Sequence, residues 1–311
     1  MLFSFEMSTK KLEMNQAIVV NDGGREIHFL ARKGDNQHIF TNVPVTAMPI
    51  VSMALPHTLT VLSVGADKYV TPLQERLDAN ACNENNVRYR IGVQGKPKRA
   101  VITFAHYKGF GGWPAPYTVL DATKLALADT LYISVQDPYF TAGSYFISDD
   151  YGNDPVPAIV AVISRTLEEY GLSSSDVTIL GSSKGANIAG LVSQFFEDNQ
   201  LILCAYSMDI EYRVRNTPFR HLASALDFLG VSFPDALSVF QKEARRKETH
   251  WFYAIRDDLA NQGQEYMTAD QLTTYPSQAS HSNVIVEHWD EIRTLIDRRH
   301  PVLDTRVESV R

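Results

Sequence analysis

Val177-Thr178-Ile179-Leu180-Gly181-Ser182-Ser183-Lys184-Gly185-Ala186-Asn187-Ile188 is the stretch that decides the fold. Val177 to Leu180 is a short apolar, β-branched run of the kind that forms a buried strand. From Ile188 onward, Leu191, Val192, Phe195 and Phe196 recur at helical spacing. Between the two lies G-x-S-x-G, Gly181 to Gly185. Strand, G-x-S-x-G, helix is the pattern of a nucleophile elbow with Ser183 at its tip. The turn is so tight that a side chain two residues to either side of the serine would crowd neighbouring backbone. A Gly/Ser-rich turn without chemistry has the same composition; the flanking strand and helix favour the elbow.

Outward from the elbow, strands alternate with helices. Ala100–Phe104, Leu131–Val135, Leu201–Tyr206 and Trp251–Ile255 read as buried strands. Pro155–Tyr170 reads as a helix, with Asp154 to cap it, Pro155 in its first turn and Gly171 to end it. Tyr212–Glu248 reads as a helical insertion broken near Gly230 and Pro234, and Trp289–Arg298 as a closing helix. This order implies a mostly parallel sheet with helices on both faces and a site beyond the carboxyl ends of the strands. Residues 1–97 differ. They are strand-rich, with Ala17–Val20, Asn21-Asp22-Gly23-Gly24 and Ile27–Leu30 as a hairpin signal, and a short helix at Pro72–Ala81. That region is either a small β module or an extension of the sheet in the catalytic region, 98–311, whose insertion spans about 212–248.

The chain has 311 residues, 44% of them hydrophobic, which is enough for a large core. A net charge of −7 with no dense basic block speaks against a nucleic-acid partner. Arg245-Arg246-Lys247, flanked by acids, reads as a solvated helix face. No long apolar run follows Lys10 and Lys11, so an ordinary signal peptide is not expected, and Val156–Ile163 is too short for a transmembrane segment. Two cysteines make no disulfide framework; Cys204 reads as a buried thiol. A soluble, cytoplasmic protein is the expectation.

A serine hydroxyl becomes a useful nucleophile when a base takes its proton, and an imidazole serves best when an acid holds its tautomer. The partners should follow later strands in the order Ser, acid, His. Asp257 and Asp258 both follow the strand ending at Ile255; Asp257, nearer that end, is preferred as the acid, and the other is a candidate helix cap. Two histidines are candidates for the base. If Val284–Val286 is the last strand, His288 lies at its carboxyl end; if that strand lies near Leu272–Tyr275, His281 in the polar stretch Ser277–Asn283 takes the role. The residues alone leave both open. The Lys184 N–H is one expected oxyanion donor, with a second from the loop Ala105–Trp113, where Tyr107 is the candidate. His106 is a candidate substrate contact, as are Asp137 and Tyr145, whose polar and aromatic mixture suits a sugar ring. The Lys184 side chain either meets an anionic group or stands exposed near the site. No zinc, dinucleotide or P-loop motif is present, so neither metal nor cofactor is expected.

Gly181-Ser182-Ser183-Lys184-Gly185, with Asp137, Gly143-Ser144-Tyr145-Phe146 and His281-Ser282-Asn283-Val284, resembles the XcbB/CpsF-type capsular polysaccharide biosynthesis proteins. These are similar to accessory secretion proteins of the α/β-hydrolase superfamily. The resemblance covers roughly residues 98–298, and it departs at Ala186, where such elbows commonly continue with glycine. It implies an α/β-hydrolase-like fold with His281 as base and His288 in reserve. It also implies acyl-ester chemistry on a carbohydrate, by hydrolysis or transfer, in a polysaccharide biosynthesis or secretion complex. The alternatives are a noncatalytic binding or assembly protein of the same fold, and an amidase or peptidase using the same residues.

Overall fold

The computed structural model describes residues 1–299 apart from 15, 24, 32, 34–35, 68, 70–80, 107, 111–112, 116–121, 141–142, 217–219 and 258–270. The N-terminal strands are β1 (Leu2–Thr9), β2 (Gln16–Asn21), β3 (Glu26–Ala31), β4 (Gln37–Pro44), β5 (Ile50–Met53) and β6 (His57–Gly65). They form two antiparallel three-stranded sheets, ordered β4-β1-β6 and β3-β2-β5. Alternation in β1 sends Phe3, Phe5 and Met7 to one side, where they meet Ile18 and Val20 of β2 and Ile27 and Phe29 of β3 in a shared core. The expected hairpin of β2 and β3 is present in register from Gln16–Ala31 to Asn21–Glu26. The expected helix at Pro72–Ala81 lies largely outside the described residues.

Next come β7 (Cys82–Glu84), β8 (Val87–Gln94), β9 (Arg99–Phe104), a small hairpin of β10 (Lys108–Phe110) and β11 (Trp113–Ala115), and β12 (Thr130–Val135). The remaining strands are β13 (Val177–Ser182), β14 (Gln200–Cys204), β15 (Thr249–Ala254) and β16 (Leu272–Ser277). Among the described residues these build an eight-stranded sheet ordered β16-β15-β14-β13-β9-β12-β8-β7. From β16 to β12 all neighbours are parallel; β8 and β7 add antiparallel strands at one edge. The parallel strands inside the edge strand β16 are buried on both faces, which is why they read as apolar runs. Ile102, Ile133, Ile179 and Leu201 face one core, while Val101, Tyr132, Leu180 and Ile202 face the other.

Helices cover both faces: α1 (Val156–Glu169), α2 (Lys184–Ser193), α3 (Ile210–Asn216), α4 (Arg220–Leu229), α5 (Ala236–Arg246), α6 (Val284–Glu287) and α7 (Trp289–Arg299). Helix α1 begins as its sequence suggests, the Asp154 carboxylate accepting the Val156 amide at 2.9 Å, and it ends ahead of Gly171 at φ +67°. One reading of the basic run needs correction. Arg245 is exposed, but Lys247 is buried: its Nζ pairs with Glu243 at 2.7 Å and donates to the carbonyls of Ser193 and Phe196, both at 2.6 Å. It adds a donor to the Ser193 carbonyl at the end of α2, which also accepts the Phe196 amide at 3.1 Å, and to the Phe196 carbonyl just beyond it.

The N-terminal strands rest against segments that follow carboxyl ends of the sheet. Phe140, beyond β12, sits beside Phe29, Asn42 and Ala225. Arg25 lies over the Phe228 ring of α4 at 4.9 Å and donates to the Phe228 carbonyl at 3.1 Å.

Candidate active site

At the carboxyl end of β13 the chain reverses into α2 through Ser183, held at φ 53°, ψ −123°. A non-glycine residue there carries strain of about 1–3 kcal/mol. The surroundings enforce it. A Cβ on Gly181 would run into the Gly185 carbonyl, and one on Gly185 would come to 2.9 Å from the Phe104 carbonyl of β9. The Ser183 amide donates to the Cys204 carbonyl of β14 at 2.8 Å, and the Ser183 carbonyl accepts from Ala186 at 2.9 Å. Cys204 itself is fully buried, and burial pushes its thiol well above the usual range, so it is no competing nucleophile.

Ser183 Oγ lies 2.7 Å from His281 Nε2. On the other side of the ring, His281 Nδ1 makes a short hydrogen bond to Asp257 Oδ2. The three residues arrive from three elements. Asp257 follows β15 in a turn closed by its amide on the Ala254 carbonyl at 3.0 Å. His281 opens a short 3-10 turn just after β16. That strand, Leu-Thr-Thr-Tyr-Pro-Ser, is polar because it is the sheet edge with partly exposed side chains, and Pro276 is tolerated there. The loop before His281 is fastened by Glu287, which accepts from Ser277 Oγ and from the Ala279 amide at 3.1 Å. Those bonds hold the Glu287 carboxyl below its ordinary range.

His288 is not part of this group. Val284–Glu287 is helical, so His288 lies at the end of α6 with its Nδ1 3.0 Å from Glu291 and its ring against Phe252. Asp258 and Tyr107 lie outside the described residues. His106 is partly exposed just beyond β9. Two proposed substrate contacts have other partners here. Asp137 is fully buried and pairs at 3.0 Å with Lys184 Nζ, itself fully buried, while its Oδ1 accepts the Ser144 amide at 3.0 Å. The Lys184 side chain is therefore neither exposed nor open to an anion. Tyr145, at φ 57°, is buried in the main core. Gly143 makes room for the ion pair, since a Cβ there would strike both Lys184 Nζ and Asp137 Oδ2.

Arg213 is the residue that the sequence reading missed. Its Nη2 lies 3.1 and 3.3 Å from the two Asp257 oxygens and 3.4 Å from His281 Nδ1. In Glu211-Tyr212-Arg213-Val214-Arg215 nothing separates it from the surface residue Arg215, which pairs with Glu211 and Asp227. The signal available was position: α3 starts directly beyond β14, at the same sheet edge as Ser183. Among the described residues no cluster of three or more His, Cys, Asp or Glu is placed to hold a metal ion, and no helix is long and apolar enough to cross a membrane.

No protein-family model matches the chain, and no curated protein matches its sequence. Solved structures do match. Capsule O-acetyltransferase of Neisseria meningitidis serogroup A aligns at TM-score 0.50 and 14% identity, over 70% of this chain and 94% of that one. The likeness is one of fold, α/β-hydrolase-like. Acetyl Xylan Esterase 1 from Thermoanaerobacterium sp. JW/SL YS485 aligns at TM-score 0.49 and 9% identity, over 69% of this chain and 79% of that one. The Glycosylation Associate Protein (Gap123) complex from Streptococcus agalactiae aligns at TM-score 0.45 and 11% identity, over 95% of this chain and 63% of that one.

Proposed function

We propose that the chain is a serine esterase or O-acyltransferase that acts on acyl esters of carbohydrates through an acyl-enzyme on Ser183. The observation that carries this reading is the continuous line Ser183 Oγ, His281 Nε2, His281 Nδ1, Asp257 Oδ2. Ser183 Oγ bonds to the ester carbonyl carbon while its proton passes to His281 Nε2. Asp257, bound at Nδ1, keeps that tautomer and stabilises the imidazolium. The carbon–oxygen bond to the leaving alcohol then breaks, and the imidazolium returns its proton to that oxygen. Water or a sugar hydroxyl, deprotonated by His281, attacks the acyl carbon; Ser183 Oγ leaves and recovers the proton. The Lys184 amide, first in α2, is the proposed donor to the oxyanion.

The carbohydrate substrate is supported by the resemblance of the elbow and its partners to capsular polysaccharide biosynthesis proteins. The fold of the capsule O-acetyltransferase, shared at low identity, points the same way. The test is acetate release, or acetyl transfer, from acetylated oligosaccharides by wild type and Ser183→Ala. The reading expects turnover that falls at least about 100-fold in the variant. Equal turnover by both would overturn it, and a folded wild type that binds the glycan without turnover would favour the noncatalytic alternative. Cleavage of amides in preference to esters would make it an amidase using the same residues.

A further inference from the structure

Arg213 stands behind the Asp257–His281 pair, and the proposed acyl transfer gives it no step. Helix α3 holds it there firmly. Ile210 and Val214 are buried, the Tyr212 amide donates to the Asp209 carboxylate at 2.7 Å, and Asn187 of α2 donates to the Ser207 carbonyl at 2.7 Å. Only 14% of the Arg213 side chain and 12% of the Asp257 side chain are exposed. Water therefore screens this pair much less than it would a surface pair.

We propose that Arg213 is a positioning residue that fixes the Asp257 carboxylate against His281 and, through its charge, keeps the imidazole able to accept a proton at lower pH. The inference rests on the reading of His281 as the base. Asp257 Oδ2 receives Nδ1 from one side and Nη2 from the other, so the carboxylate cannot rotate without losing both. The charge argument is independent of that. A lone aspartate behind an imidazole favours the imidazolium. With Arg213 beside it, the carboxylate shares its charge with a guanidinium, and a positive charge on the ring would lie close to that guanidinium. Asp257, after β15, and Arg213, from α3, are the charged groups that meet His281 Nδ1. The uncharged Ser183 faces it from the elbow, and Glu287 on the following helix is committed to Ser277 and Ala279.

The experiment is the pH dependence of p-nitrophenyl acetate hydrolysis for wild type, Ser183→Ala, Arg213→Met, Arg213→Gln and Arg213→Lys, with folding followed by circular dichroism. Loss of the charge should move the acidic midpoint of kcat/KM upward by about one pH unit. It should also lower kcat more than it changes KM, because the effect is on proton transfer. Arg213→Lys should bring the midpoint back toward wild type. Arg213→Gln is polar, uncharged and shorter, so it gives a second neutral side chain to measure if the Met variant does not fold. A folded Gln or Met variant with the wild-type midpoint and kcat would overturn the proposal. If instead Ser183→Ala keeps the wild-type rate, the acyl-enzyme reading has failed, and Arg213 falls with it for that separate reason.

Discussion

Lys184→Met should be among the most damaging single substitutions in the chain, although it touches no proposed reacting atom. Lys184 Nζ and Asp137 Oδ2 are 3.0 Å apart with both side chains fully buried. Removing the ammonium leaves a buried carboxylate whose remaining hydrogen bonds come from Ser144, the amide at 3.0 Å and the hydroxyl at 3.4 Å. Breaking one side of such a pair costs about 3–5 kcal/mol, and the retained Ser144 amide places the expected loss near about 3 kcal/mol. That is a large share of a domain's stability, which is about 5–15 kcal/mol. Adding Asp137→Asn removes the stranded charge and still accepts the Ser144 amide, so the double variant should return to within about 1 kcal/mol of wild type. Urea unfolding followed by tryptophan fluorescence, compared at equal slopes, reads both numbers. A single variant within about 1 kcal/mol of wild type, or a double variant no better than the single, would refute the reasoning.

Gly181→Ala should abolish the turn, because its Cβ meets the Gly185 backbone; a loss above about 2 kcal/mol, or insoluble protein, is the expected outcome of the same unfolding assay. Lys247→Met takes the buried cation from Glu243, which keeps the Ser193 hydroxyl at 3.0 Å as a close donor, and should cost about 3–5 kcal/mol, whereas the exposed neighbour Arg245→Met should change stability by less than about 0.5 kcal/mol. Asp227 is held below its ordinary value of 3.8 by its hydrogen bonds with Arg215, which link α4 to α3. A lowered carboxyl stabilises the folded state above its unfolded value and loses that contribution as pH falls through the folded one. Asp227→Asn should therefore cost less than about 1 kcal/mol at pH 6 and progressively less as pH falls below 3.8, the pair being half exposed.

Much of this architecture was legible from local pattern. Buried parallel strands such as Ala100–Phe104 and Leu201–Cys204 announce themselves as apolar runs, and the glycines of the elbow announce its steric demand. Strand β16 was harder. As an edge strand it needs no continuous apolar run, so Thr273 and Thr274 hide it, and the choice between His281 and His288 hung on that strand. Long-range pairings were not legible at all. Lys184 looks like a surface lysine until Asp137 is brought to it; Glu243 and Lys247 are one helical turn apart, but nothing local shows that Lys247 also meets the carbonyls of Ser193 and Phe196. Arg213 likewise acquires meaning only when β14 and β15 place α3 beside Asp257.

The most direct test of the central claim is intact-mass detection of fluorophosphonate labelling on wild type, Ser183→Ala, His281→Ala and His288→Ala, each verified as folded. One label per wild-type chain is expected, with none on Ser183→Ala and labelling slowed at least about 100-fold in His281→Ala. His288→Ala, bound to Glu291 and away from the serine, should label at the wild-type rate. A folded wild type that takes no label from either a bulky or a small fluorophosphonate, or one still labelled after Ser183→Ala, would contradict the account.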